Sequence, residues 1–302
     1  MALRQAENRV RIEGVLSSID LKYGSYVKNG ATVDNIGGHI NVLVHQQVNG
    51  EDITLDIPVY MFAAKYTNAG KLNPAYESIE KVMKEYVSIA SGAGEAGADK
   101  IRITSGSIRM NEYYNQQGQL VSFPRINTSF VAKATGDFRP EASWSLEFAI
   151  SSIDFVTDDE GVEVEPKKLR IKVIVPQYGG KVDTMELYAT NPRVIDAITS
   201  YWENQKTYTA KGRLNFTTTT REVIEECDFG EPDKRIYTQS VSELIVTKGT
   251  QSPLEDDMAF APADLAAALK EHKAALEASK DKVKTKATPA PTSSNQAYDL
   301  GF

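Results

Sequence analysis

A short stretch occurs twice in the chain, and the segments after each copy run in parallel. Val15-Leu16-Ser17-Ser18-Ile19-Asp20 returns as Ala149-Ile150-Ser151-Ser152-Ile153-Asp154. Ile40-Asn41-Val42-Leu43-Val44 is then answered by Ile171-Lys172-Val173-Ile174-Val175, and glycine turns come next at Asn49-Gly50 and Gly179-Gly180. Val59-Tyr60-Met61 matches Leu187-Tyr188-Ala189, and Asn73-Pro74 and Asn191-Pro192 each open a helical run. Gly106 and Gly212 mark a further strand, and Val131 to Thr135 pairs with Val246 to Thr250. So many matches in one order imply duplication. The chain is therefore expected to fold as two copies of one small domain, residues 1–136 and 137–250, with a tail at 251–302.

The length of 302 residues leaves room for this division, and a hydrophobic fraction of 41% is enough for packed cores. No apolar run approaches the ~20 residues that cross a bilayer. Met1-Ala2-Leu3-Arg4-Gln5 has no apolar signal core. Cys227 is the single cysteine, so no intrachain disulfide can form. These features predict a cytoplasmic protein without a membrane partner. The net charge of −7 is uneven: +1 over the first copy, −6 over the second and −2 over the tail. A polyanion meets least repulsion on the first copy, and bulk charge alone cannot make this chain a nucleic-acid coat.

Alternation sets the strands. Val10, Ile12, Gly14 and Leu16 share one face of a first strand, and Ile40, Val42 and Val44 one face of a second. Residues Lys22 to Gly38 between them, rich in Gly, Asn and Tyr, read as a loop. Asn49-Gly50 is a tight-turn signal. The third strand puts Ile53, Leu55, Ile57, Val59 and Met61 on one face, and Pro58 requires an edge or a break there. Asn73 caps a helix that Pro74 begins, with Tyr76, Ile79, Met83, Tyr86, Val87 and Ala90 as its apolar stripe as far as Ser91. Ile101, Ile103, Ile108 and Met110 mark a fourth strand, and Leu120 to Lys133 a fifth. The second copy repeats the order, with Trp144, Leu146, Phe148 and Ile150 facing inward and a long acidic loop from Arg221 to Arg235. In the tail, Ala263 to Lys280 suits a solvated helix, and Lys280 to Gln296 reads as a flexible linker before Tyr298-Asp299-Leu300-Gly301-Phe302.

Five strands with a helix between the third and fourth is the element order of the oligonucleotide-binding (OB) fold. The fold class expected is mainly β: two tandem OB-like barrels with one helix each, plus a partly helical, partly disordered tail. Two barrels, a low-complexity linker and a Phe-ending tip together resemble the single-stranded DNA-binding proteins of bacteria and their phages. That resemblance implies a protein that coats exposed DNA in replication, recombination or repair. It also implies that Tyr298, Asp299, Leu300 and Phe302 dock replication or recombination partners, although the family's run of tip acids is reduced here to Asp299.

Strand binding without sequence readout needs aromatic planes for bases and cations for phosphates. The first copy offers Lys22, Tyr23, Tyr26 and Lys28 in its first connection, Tyr60 and Phe62 on the outer face of strand three, and Tyr113 and Tyr114 after strand four. Arg102 and Arg109 interrupt the inward apolar residues of strand four and complete the expected binding set. The second copy has Tyr188, Lys172, Lys181 and Arg213 but an acidic last loop, which suits weaker binding or a protein contact.

Chemistry has few signals. His39, His45, His272 and Cys227 show no zinc-ligand spacing, Ser91-Gly92-Ala93-Gly94 lacks the Lys of a phosphate loop, and no nucleophile elbow is present. Cys227 stands among acids that disfavour its thiolate. The expectation is a non-enzymatic binding protein with no cofactor and no metal. A virion or assembly protein that uses duplicated β-domains for protein contacts is the alternative, and an RNA-binding regulator of the same fold is a third reading.

Overall fold

The computed structural model describes residues 3–115, 117–225 and 233–286, with backbone alone at 218–225, 233–240 and 281–286. Its strands close into two five-membered circuits. The first contains β1 (Asn8–Lys28), β2 (Ala31–Val48), β3 (Glu51–Ala64), β4 (Lys100–Tyr114) and β5 (Leu120–Asn127). They run in the order β1-β2-β3-β5-β4, and β4 returns to β1. β3 and β5 are parallel, and the other pairs in the circuit are antiparallel. A two-residue strand, β6 (Ala132–Lys133), extends the edge of β4. The second circuit uses β7 (Glu141–Phe155), β8 (Leu169–Pro176), β9 (Val182–Ala189), β10 (Thr207–Glu225) and β11 (Asp233–Gly249) in the same order, with β9 and β11 parallel. This closed order, with a helix between the third and fourth strands, is that of the OB barrel, so the mainly-β fold class holds.

The Leu-Ser-Ser and Ile-Ser-Ser stretches have the same shape. The register slips between Leu16 and Ser18 on β1 and between Ile150 and Ser152 on β7, a bulge at the matching place in each barrel. A bulge there bends the strand, so one long strand can serve both sides of a closed sheet.

Local chemistry explains most of the elements. On β3, Leu55, Ile57, Val59, Met61 and Ala63 are buried, while Thr54, Asp56 and Phe62 are turned away from the core. Each fully buried side chain of this kind contributes ~1.5–3 kcal/mol relative to exposure. Pro58 lies opposite Asn41 of β2, and β5 joins β3 only at Val59 and Tyr60, so no further strand needs a donor at Pro58. Asn73 caps α1 (Pro74–Glu85), its Oδ1 accepting from the Ala75 N–H at 3.0 Å. α1 buries Tyr76, Ile79 and Val82 and stops at Glu85, short of the expected Ser91. A 3-10 turn at Ile89–Ser91 and the single-turn α2 (Gly94–Gly97) come after it. Asn191 caps α3 (Pro192–Tyr201) in the same way.

Three further expectations need correction. Lys22 to Gly38 is not a loop: β1 and β2 run on as a ladder to a two-residue turn at Asn29-Gly30, both with positive φ. In Arg221 to Arg235 the described residues are likewise ladder, β10 and β11 staying paired out to Glu225 and Asp233. The tail helix α4 (Pro262–Lys286) is docked rather than solvated over its first turns, where Leu265 and Ala268 are buried beside Phe260. Cys227 and the tip residues Tyr298, Asp299, Leu300 and Phe302 lie outside the described residues.

The barrels join through an antiparallel pairing of their first strands, Asn8 to Glu13 against Leu146 to Glu141. Val10 sits opposite Trp144 in that pairing, and these two occupy matching places six residues before Leu16 and Ile150. Gly106 faces Val10 on one side, and Gly212 faces Trp144 on the other. The two barrels are thus arranged about an approximate local dyad through the Val10–Trp144 pair. Arg109 Nε donates to Asp183 Oδ2 at 2.6 Å, and Arg4 pairs with the buried Glu147, both across this junction. Among the described residues, no helix is long and apolar enough to cross a membrane.

Candidate nucleic-acid interface

The outward residues of the first barrel form rows across β1, β2 and β3. One row is Lys22, Gly37 and Phe62; the next is Asp20, His39 and Tyr60. Tyr26 lies on the same face as Lys22, and its ring is 6.3 Å from that of Phe62. Phe62 is 56% exposed and Tyr26 38% exposed, high values for aromatic side chains. Gly37 lets Phe62 lie close over the sheet, because a Cβ there would stand 2.9 Å from Phe62 Cδ2. Lys28, at the end of β1, extends the face toward the hairpin tip.

Tyr60 is held from two sides. His39 lies 5.6 Å away, ring to ring, and the Arg125 guanidinium sits 3.6 Å above the Tyr60 ring. A guanidinium on an aromatic face presents its own plane outward, and nucleic-acid bases stack on such planes as they do on rings. Burial pushes the Arg125 pKa down, and its Nε has no hydrogen-bond partner among the described residues. Lys22 pairs with Asp20 at 2.9 Å and holds that carboxyl below the usual range. Lys28 has no ion pair among the described residues.

The expected set divides. Lys22, Tyr26, Lys28, Tyr60 and Phe62 come together on one face. Tyr23 turns to the opposite side of the hairpin, 6.5 Å from Tyr76 of α1, where its hydroxyl donates to Glu80 at 2.7 Å. Arg102 is a structural cation: its Nε and NH2 each lie 2.8 Å from the Glu13 carboxylate, which is buried where β4 closes on β1. Arg109 is spent on Asp183. Tyr114 lies beneath α4, its hydroxyl donating to Glu277 at 3.1 Å and Lys280 standing 5.1 Å from its ring. Tyr113 is exposed at the far end of the β4–β5 hairpin, and no described contact joins it to Tyr26, Tyr60 or Phe62. Arg125, His39 and Gly37 are members that alternation alone did not single out. Arg125 carries no sequence signal of its own, because only the β3–β5 pairing brings it to Tyr60.

The second barrel carries the matching row Asp154, Arg170 and Tyr188. Tyr188 has Lys168 4.6 Å over its ring, and its hydroxyl donates to Glu186 at 2.6 Å. Burial raises the pKa of that phenol. Thr190 comes after Ala189 where Phe62 comes after Met61, so the second face has one ring in place of two. Arg213 is half-buried near Glu243, and Lys181 lies by α4, so of the cations expected there only Lys172 shares Tyr188's open side. Asp158 accepts from the Glu160 and Val162 N–H groups, which makes its acidic run a turn. Among the described residues, no group of three or more His, Cys, Asp or Glu could hold a metal ion.

Between the barrels lies a cleft of about 930 Å³, with Tyr60, Phe123 and Arg125 on one wall and Lys172, Glu186 and Tyr188 on the other.

No curated protein matches the chain in sequence. Among solved structures, the wild-type single-stranded DNA binding protein from Thermus aquaticus aligns with a TM-score of 0.48 and 11% identity, covering 84% of this chain and 96% of that one. A deletion mutant of the same protein aligns with a TM-score of 0.46 and 13% identity, over 85% and 98% of the two chains. A replication protein A heterotrimer bound to single-stranded DNA aligns with a TM-score of 0.24 and 7% identity, over 78% and 49%. The OB assignment rests on the strand order and not on these likenesses. The sequence model of the YorF family matches residues 6–282, and the chain belongs to the YorF family.

Proposed function

We propose that the protein binds single-stranded DNA without strong sequence preference, mainly on the outward face of its first barrel. The observation that carries this reading is the gathering of Tyr26, Phe62 and the Tyr60–Arg125 stack on one open three-strand face, with Lys22 and Lys28 at its margin. Bases would stack on the rings and the guanidinium while the lysines meet phosphates. Coating of exposed strands in replication or recombination, in a phage-infected host, belongs to the same proposal. So does partner docking by the 298–302 tip, which deletion of residues 297–302 and a pull-down with the shortened chain test.

Stacking is worth ~1–3 kcal/mol per base, so loss of one ring should weaken binding roughly five- to 150-fold. Titration of labelled oligo-dT and oligo-U with the wild type and Phe62→Ala tests the proposal. Tight oligo-dT binding lost in the variant supports it. Preference for oligo-U favours an RNA-binding role, and absence of binding at low salt rejects it. The net −6 of residues 137–250 favours a second reading, an assembly protein making protein contacts, and that last outcome would leave it standing.

A further inference from the structure

The cleft between the barrels is lined by matching positions from both. Tyr60 faces it from β3 and Tyr188 from β9; Met110 lines it from β4 and Phe216 from β10. It therefore straddles the local dyad, with the matching faces of the two barrels meeting across it. Tyr60 also belongs to the outward row with His39, so the ring face and the cleft meet at that residue.

Among the described residues, the charged side chains lining the cleft are Arg125, Lys172 and Glu186, a local excess of one positive charge in a chain whose net charge is −7. Glu186 is occupied by the Tyr188 hydroxyl. Lys172 is exposed and, among the described residues, makes no ion pair. Arg125 lines the cleft with its guanidinium stacked on Tyr60 and, among the described residues, makes no ion pair. A phosphodiester oxygen is a partner that a guanidinium meets with well-directed N–H groups. The volume exceeds what a single stacked base requires and is open to a strand leaving Tyr60.

We infer that the cleft is a second binding segment for the same DNA strand, which passes from the ring face of the first barrel over Tyr60 and between the barrels, its phosphates met by Arg125 and Lys172. This rests on the reading of the ring face as a DNA site. The acidic second barrel then contributes to binding from its dyad-facing side only.

The test uses the full chain and two labelled oligo-dT probes, one of about six nucleotides, within the reach of one barrel, and one of about 20. Lys172→Glu should weaken the long probe about tenfold and leave the short one unchanged. Lys172→Ala should lower the salt slope of the long probe by about 0.7, the value for one lost phosphate contact on a single strand. Unchanged long-probe binding in Lys172→Glu, alongside weakened binding of both probes in Phe62→Ala, would overturn the cleft segment and keep the ring face. Failure of the wild type to bind either probe would remove both.

Discussion

Replacing Arg102 with alanine separates a structural cation from a DNA contact. Glu13 is 1% exposed and accepts two hydrogen bonds from Arg102, each 2.8 Å, at the place where β4 closes the first barrel on β1. Arg102 also donates to the Asp137 carbonyl, and the Arg139 N–H donates to Glu13 at 3.0 Å, so the pair fastens the connection between barrels as well. Arg102→Ala leaves that carboxylate with the Arg139 N–H and the more distant Arg11 guanidinium, 3.8 Å away. Breaking a fully buried pair from one side costs ~3–5 kcal/mol, but Arg102 is partly open to water, which can reach Glu13 once the guanidinium is gone, and the Arg139 N–H survives. The loss therefore stays below that range, and at ~2–4 °C per kcal/mol the melting temperature should fall by about 4–8 °C at pH 7.

The pH dependence has a definite sign. Arg102 holds the Glu13 carboxyl below its ordinary range, chiefly through hydrogen bonding. The stabilisation is therefore present above the unfolded value of ~4.3 and is lost as pH falls through the folded one. The gap between wild type and variant should narrow below about pH 4. Thermal melts monitored by circular dichroism across pH, together with an oligo-dT titration of the folded variant at low temperature, measure both effects. A melting temperature within about 2 °C of wild type at pH 7 would refute this account of Arg102. Intact stability with lost DNA binding would restore Arg102 to the interface.

Two other outcomes depend on single contacts. Gly37→Ala should push the Phe62 ring off the sheet and weaken oligo-dT binding severalfold with little change in melting, read by the same titration. Asn73→Ala removes the α1 cap and should cost ~0.5–2 kcal/mol in urea unfolding, leaving DNA affinity intact because α1 lies on the far side of the hairpin from Phe62.

The sequence showed the barrels where local rules decide and hid them where distant residues do. The alternation of Leu55, Ile57, Val59 and Met61 and the Asn-Pro caps are short-range signals, and the structure obeys them. The β1–β2 arm reads as a loop because its glycines and asparagines outweigh its alternation, although Asn29-Gly30 is the same turn signal as Asn49-Gly50. Tyr23 and Tyr26 look interchangeable in a loop; in a ladder their odd spacing sends them to opposite faces. Arg102 and Arg109 read as free cations because their carboxylates stand 89 and 74 residues away. Arg125 gave no periodic signal, and its role comes from β5 lying beside β3, a parallel pairing made only by closing the barrel. Phe260, Leu265 and Ala268 carry a weak apolar spacing, and α4 packs on β4 of the first barrel and β9 of the second, so its docking needs both in place.

Ultraviolet crosslinking of oligo-dT to the full chain, with the modified residues located by mass spectrometry, tests the central claim most directly. Adducts at Tyr26, Tyr60 and Phe62 are the predicted result. Adducts confined to Tyr23, Tyr114 or the exposed Tyr178 and Tyr201, or none at all at low salt, would contradict it.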